Sequence, residues 1–177
     1  MKLIAITSPA FPAGEVNRIC QLLDEGFWRV HLRKPGISEE NFMRFVEAVP
    51  PAYRGRIVTH EHFYRCGQLG LAGFHLNRRN GVIPEGFAGS LSCSCHSLEE
   101  VKAMKERMDY VFLSPVFNSI SKAGYQSAFT DWQLMEAAKE RIIDEKVIAL
   151  GGVSPEKLPL LERYCFGGAA MLGAVWQ

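Results

Sequence analysis

"KVIALGGVSPEKLPLLERYCFGGAAMLGAVW", Lys146 to Trp176, decides how this chain folds. Two short apolar runs, 146–153 and 167–176, flank the segment "SPEKLPLLERYC". The runs are rich in Val, Ile, Ala and Gly and too short for helices, so they read as buried strands. Ser154-Pro155 is an N-cap and first-turn pair, so the segment between them reads as a helix. Strand, helix and strand within about 30 residues make a parallel crossover unit.

The same alternation runs back to the N-terminus. "KLIAITS" (2–8), "RVHLRK" (29–34), "RIVTH" (56–60), "GFHLN" (73–77), "GSLSCSC" (89–95) and "YVFLSPV" (110–116) read as strands. "EVNRICQLLDEG" (15–26) carries Val16, Ile19, Cys20, Leu22 and Leu23 at helical spacing, with Gly26 as a stop. "NFMRFVEAV" follows Ser38 as a capped helix, and "EHFYRCGQLG" reads as a short one. In "SLEEVKAMKERM" (97–108), Ser97 and Glu100 stand in capping-box register. "DWQLMEAAKERIIDE" is a helix capped at Thr130 or Asp131. Only a short loop joins strands four and five.

Eight such units predict a compact (β/α)8 TIM barrel, one domain over residues 1–177. An open dinucleotide-binding sheet is disfavoured, because no G-x-G-x-x-G follows an early strand. Barrels of this type run to about 250 residues. Here the eighth strand is followed only by Gln177. The final helix is therefore expected to be missing, with one wall open or covered by a partner. A homodimer through Trp176 and the last strand region is the matching expectation.

The 177 residues are 47% hydrophobic and 22% charged, with a net charge of +1. That charge offers no broad basic field for nucleic acid. No apolar run approaches the ~20 residues of a membrane span, so no membrane association is expected. "MKLIAITSPAFPAGE" reads as a first strand and turn, not a signal peptide, which predicts a cytoplasmic protein. Five cysteines with no C-x-x-C spacing predict free, buried thiols, with Cys93 and Cys95 on one face of a strand.

In a barrel of this class the active site forms at the C-terminal ends of the strands. Polar residues gather there: His31, Arg33 and Lys34 after strand two; Thr59, His60 and Glu61 after strand three; His75, Asn77, Arg78, Arg79 and Asn80 after strand four; Ser92, Ser94 and His96 after strand five. His31 and Arg33 are two apart and face the same way. An Arg in a barrel mouth needs an anion, either Glu61 or a ligand phosphate. Gly151-Gly152 and the turn at Leu172-Gly173 follow the last two strands, where backbone N–H groups can approach a phosphate. Ser119, Ser121 and Lys122 place two hydroxyls and an ammonium within four residues, which reads as an anion clamp opposite Arg33 ahead of a plain solvated loop. His75 and His96 also read as satisfied strand-end residues. His31, His60, His62 and His75 raise the question of zinc, but no His-x-x-x-His or paired-cysteine pattern accompanies them, and zinc is not expected.

Taken in order, these motifs resemble the thiamine phosphate synthase (thiamine-phosphate pyrophosphorylase) and thiazole tautomerase family over nearly the whole chain. "HLRK" resembles Q-L-R-x-K, "GFHLNRRN" resembles G-V-H-L-G-Q-x-D, and "SCSCHSLEEV" resembles G-x-S-x-H-S-x-x-E. "DYVFLSPVFNSISK" resembles D-Y-x-x-x-G-P-V-F-x-T-x-T-K, and "VIALGGV" and "GGAAMLGAVW" resemble the two phosphate loops.

The resemblance implies a transferase that joins hydroxymethylpyrimidine diphosphate to thiazole phosphate, releasing pyrophosphate. It implies that Arg33 and Lys122 hold the diphosphate with Ser94, Ser119 and Ser121 nearby. Gly151, Gly152, Leu172 and Gly173 would bind the thiazole phosphate, and His31 would face the pyrimidine ring where the family has Gln. Lys34, His60, His75 and Asn77 would line the substrate site. Mg2+ is the implied cofactor, held by Glu61 and Asn80. His60-Glu61 replaces the family's Asn-Asp pair, and Asn80 replaces its second Asp, so one ligand loses its charge. The tautomerase uses a His at the position of Pro115 here. An isomerase acting on a thiazole phosphate, or a non-catalytic binder of thiazole or thiamine phosphate, is the alternative.

Overall fold

The computed structural model describes residues 1–118 and 128–176. Eight parallel strands close into a barrel in chain order: β1 (Lys2–Ile6), β2 (Arg29–Leu32), β3 (Ile57–Thr59), β4 (Gly73–Leu76), β5 (Ser90–Cys95), β6 (Tyr110–Leu113), β7 (Val147–Ala149) and β8 (Gly168–Met171). β8 pairs back onto β1, Lys2 opposite Gly168 through Ala5 opposite Met171. The helices are α1 (Glu15–Asp24), α2 (Glu39–Ala48), α3 (Pro51–Arg54), α4 (Leu98–Met104), α5 (Asp131–Lys139) and α6 (Leu158–Arg163). The expected barrel is the one found.

Period-two alternation sorts the strand residues into two cores. Ile4, Ile6, Tyr110, Phe112, Ile148 and Ala170 pack together inside the barrel. Their neighbours Ala5, Val111, Leu113, Val147, Ala149, Ala169 and Met171 belong to the larger layer between strands and helices. Val30, Leu32, Phe74, Cys93 and Cys95 lie in that outer layer too. Their alternates, His31, His75 and Ser92, are nonetheless buried. The β2–β5 side of the barrel therefore fills its interior with polar side chains, and the β6–β1 side fills it with hydrocarbon.

Helix starts follow the sequence signals. Ser38 accepts from the Asn41 N–H, and Thr130 and Gln133 form a reciprocal capping box. Ser97 accepts from the Glu100 N–H, but the Glu100 carboxylate reaches the His96 N–H instead of closing the expected box. "EHFYRCGQLG" keeps only one 3-10 turn, Phe63–Arg65; Gly67 and Gly70, the latter at φ +66°, follow it. Ser154 makes no side-chain cap, and a 3-10 turn at Pro155–Lys157 precedes α6.

Among the described residues no α-helix follows β8, only a 3-10 turn at Gly173–Val175. The strand ladder itself is closed there, since β8 pairs with both β7 and β1. Trp176 is no bare apolar surface either. It packs against the outer core, and its indole N–H donates to the Ile6 carbonyl at 2.6 Å. The cysteines are all free, but only Cys66, Cys93 and Cys95 are buried. Cys20 is half-buried and Cys165 is exposed past the end of α6, so the expectation of five buried thiols is corrected. Among the described residues no helix is long and apolar enough to cross a membrane.

Candidate active site

The strand ends at the C-terminal rim bring most of the predicted polar residues together. β2, β3 and β4 lie side by side, with His31 opposite Val58 and Thr59 opposite Phe74. This register sets His31, His60 and His75 against one another. His31 Nδ1 lies 3.0 Å from His60 Nε2, and the His60 and His75 rings stack 4.4 Å apart with planes 19° off parallel. His31 Nε2 lies 2.7 Å from the Tyr110 hydroxyl. His75 is held on both nitrogens, by Ser92 Oγ at 2.9 Å and Ser94 Oγ at 3.0 Å. Burial lowers the pKa of all three imidazoles well below the usual range, His75 to about 3, with the neighbouring cations Arg29 and Arg33 acting in the same sense. The three rings are therefore neutral hydrogen-bonding groups at neutral pH.

Three histidines whose ligand atoms lie within 4.8 Å of one another satisfy the proximity condition for a transition metal. Their orientation does not suit one. Imidazole lone pairs lie in the ring plane, and the stacked planes of His60 and His75 send them side by side instead of converging. His75 has no uncommitted nitrogen.

Beside this cluster, Glu61 and Asn80 are in contact. Asn80 Nδ2 donates to Glu61 Oε2 at 2.6 Å, while Arg79 binds Glu61 Oε1 at 2.8 Å. Asn77 shapes the same corner: its amide donates to the His60 carbonyl at 2.8 Å, and its Oδ1 accepts from the Arg79 and Asn80 N–H groups. The alternative in which Arg33 pairs with Glu61 is not realised. Among the described residues the Arg33 guanidinium has no ion-pair partner; its backbone is clasped by Thr7, whose hydroxyl accepts from the Arg33 N–H at 2.9 Å. Ser94 is exposed at the rim.

Lys34 departs from expectation. It is buried, and its ammonium is shared by the Glu15 carboxylate at 2.7 Å and the carbonyls of Ser8 and Ala10. Those acceptors use its donors, so no proton is left for a substrate, and the substrate-binding assignment is corrected. The backbone turns after β2 at Pro35-Gly36, Gly36 having φ +73°, and the lysine folds under the β1–α1 loop.

On the other side of the mouth, the β7–β8 register sets Ala149 opposite Ala169. The Gly151-Gly152 and Leu172-Gly173 turns thus follow neighbouring strands. Gly151 and Gly152 have φ +92° and +62°, and a Cβ on Gly151 would come within 2.7 Å of Pro115 Cα. Leu172 and Gly173 are exposed. Ser119, Ser121 and Lys122 lie outside the described residues.

Sequence reasoning missed three participants. Tyr110 looks like strand core, and only its two-residue offset from Phe112 puts its hydroxyl in the lumen. Glu15 looks like an ordinary first-turn acid. Lys157 donates to the Gly152 carbonyl at 2.5 Å and stacks over the Phe117 ring, bracing the glycine turn. A separate cleft of about 410 Å3 opens at the opposite rim, around Lys2, Trp28, Arg29 and Ser90. It is remote from the polar strand ends.

With the site described, its relatives are informative. The thiamine monophosphate synthase family model matches residues 3–175. A thiamine-phosphate synthase from Rhodospirillum centenum is 26% identical over 192 aligned residues, covering 99% of this chain and 89% of that protein. One from Photorhabdus laumondii is 25% identical, over 89% of this chain and 76% of its own length. The crystal structure of thiamine phosphate pyrophosphorylase from Bacteroides thetaiotaomicron superimposes with a TM-score of 0.90 at 45% identity, covering 99% of this chain and 85% of that one. A Pyrococcus furiosus thiamine phosphate pyrophosphorylase, at 17% identity and TM-score 0.76, shares the fold. The match spans every strand end that builds the mouth, and the chain belongs to the thiamine monophosphate synthase family.

Proposed function

We propose that this barrel joins hydroxymethylpyrimidine diphosphate to thiazole phosphate, giving thiamine phosphate and pyrophosphate in the cytoplasm. The observation that carries the reading is the family match across residues 3–175. The relatives give no support to an isomerase or to a non-catalytic binder.

In this reaction the carbon–oxygen bond to the diphosphate breaks and the electron pair leaves with pyrophosphate. The thiazole nitrogen lone pair then forms the new carbon–nitrogen bond. No proton has to move, so the protein's tasks are binding, orientation and exclusion of water. Arg33, whose guanidinium has no ion-pair partner among the described residues, takes the diphosphate with Lys122, Ser119, Ser121 and the exposed Ser94 hydroxyl. Backbone N–H groups of the Gly151-Gly152 and Leu172-Gly173 turns take the thiazole phosphate. His60 and Asn77 form the side against which the pyrimidine ring rests, while His31, expected to face that ring, is wholly buried behind His60 with both nitrogens engaged, and His75 backs the same wall.

Glu61 and the Asn80 amide oxygen suit Mg2+, which takes oxygen ligands and keeps most of its shell as water and phosphate. Arg79 on the same carboxylate would share it. When bound, the ion neutralises charge on the leaving diphosphate.

The test is an end-point assay with both substrates and MgCl2. Thiamine phosphate that disappears with EDTA or with Lys122→Ala supports the reading. No product at any Mg2+ concentration overturns it.

A further inference from the structure

The buried histidines form part of a hydrogen-bonded string that runs up the barrel. At its base Arg29 Nη1 donates to Ser90 Oγ at 2.6 Å and approaches the Tyr110 hydroxyl at 3.5 Å. Ser92 stands directly across the sheet from Tyr110. Tyr110 continues to His31 Nε2 at 2.7 Å, and His31 Nδ1 continues to His60 Nε2 at 3.0 Å.

The string has a direction, because one end can only donate. A guanidinium has no acceptor. The Arg29 cation on the phenol oxygen polarises its O–H toward the nearest partner, His31 Nε2 at 2.7 Å. His31 is then protonated on Nδ1 and donates to His60 Nε2. His60 in turn carries its proton on Nδ1. Ser92 Oγ and Ser94 Oγ hold the two nitrogens of His75 beside this string. One cation at the base thus sets the tautomers of His31 and His60.

The far end of the string is open. Among the described residues His60 Nδ1 has no hydrogen-bond partner. No described side-chain nitrogen or oxygen is both sealed from solvent and unpartnered, so this atom is reachable from the mouth. The His60 carbonyl accepts from the Asn77 and Asn80 amides, which sets this residue beside the Glu61–Arg79 pair at the rim. Burial keeps the Tyr110 phenol protonated, so its O–H remains a donor across the working pH range.

We propose that Tyr110, anchored by Arg29, is a positioning residue that fixes His60 as an Nδ1–H donor at the mouth, where it hydrogen-bonds an acceptor nitrogen of the bound heteroaromatic ring. This rests on the reading that the mouth takes a pyrimidine diphosphate. It makes the site select a ring with an unprotonated nitrogen at that edge. Tyr110 touches no substrate and acts through His31 and His60.

The experiment reads tautomers by long-range 1H–15N NMR on the full chain, with and without hydroxymethylpyrimidine diphosphate. His31 and His60 are each expected as the Nδ1–H tautomer, and the ligand shifts the His60 Nδ1 signal. In Tyr110→Phe, which keeps the ring packing, His31 loses its Nε2 donor and the His31 and His60 tautomers become mixed. KM for the pyrimidine diphosphate rises about tenfold, the scale of one lost hydrogen bond, while KM for thiazole phosphate stays within about twofold. A merely structural Tyr110 would move both KM values together, or neither. Wild-type His60 as the Nε2–H tautomer, a His60 signal unmoved by ligand, or stoichiometric Zn2+ bound by the three rings would each overturn the proposal, whether or not Tyr110→Phe folds. Product formation with the wrong His60 tautomer would sink this inference alone. The right tautomer and a ligand shift without product would sink the synthase reading alone.

Discussion

Lys34 Nζ lies 2.7 Å from the Glu15 carboxylate, with 1% of the lysine side chain and 2% of the glutamate side chain exposed. Burial pushes the Glu15 carboxyl up and the Lys34 ammonium down, and each holds the other charged against that push. The pair ties the end of β2 to the start of α1. Lys34→Met strands a buried carboxylate and should cost about 3–5 kcal/mol in urea unfolding. The double variant Lys34→Met/Glu15→Leu should regain most of that loss. Equal destabilisation in single and double variants would contradict the account.

Acid should unfold this protein early. His75 has its pKa lowered by burial from the usual 6.5 to about 3. The unfolded chain therefore binds a proton that the folded chain refuses. Stability is fully present above about pH 6.5 and is lost as pH falls toward 3, at up to about 1.4 kcal/mol per pH unit for this one ring. Urea midpoints measured from pH 7.5 down to pH 5 should fall steadily. A flat profile would mean that water or a counter-charge already solvates His75.

The metal corner should respond to charge. Among the described residues Glu61 is the one carboxylate at the proposed Mg2+ corner, with Asn80 2.6 Å away. Asn80→Asp should lower the Mg2+ concentration for half-maximal synthesis by about tenfold, since it restores a second anionic ligand. Glu61→Ala should abolish Mg2+-dependent turnover while leaving the melting temperature within a few degrees. Activity of Glu61→Ala at unchanged Mg2+ would move the metal elsewhere.

Gly152 sits at φ +62°, and a Cβ there would collide with the Asn118 carbonyl. Gly152→Ala should cost about 1–3 kcal/mol through backbone strain. It should raise KM for thiazole phosphate more than KM for the pyrimidine diphosphate. Isothermal titration with thiazole phosphate alone separates this from a general loss of fold.

Strand order and helix caps were legible because they depend on local patterns: Ser38, Thr130 and the alternation of Tyr110-Val111-Phe112-Leu113. The rim residues were legible because barrel strands carry function at one end. Lys34 was misread, since its role depends on Glu15, nineteen positions earlier, and on a backbone turn at Gly36. The strand ends were over-extended because glycine, proline and polar residues there serve the loops. Tyr110 was invisible as a polar group, because its hydroxyl meets His31 only when β6 and β2 face each other across the closed lumen.

β4 and β5 are joined without a helix. Instead, Phe74 on β4 is sandwiched between Phe63, with ring centroids 4.1 Å apart, and Phe87, at 4.3 Å. Phe87 belongs to the same connection that carries Arg79 and Asn80 to the mouth. One segment is thus both cladding and tool, and the two duties are mechanically joined. A ligand that grips Asn80 also holds Phe87 against the barrel. Substrate saturation should therefore protect the Arg78–Phe87 stretch from proteolytic nicking, and a cut there should loosen β4 from its neighbours even with every residue at the mouth intact.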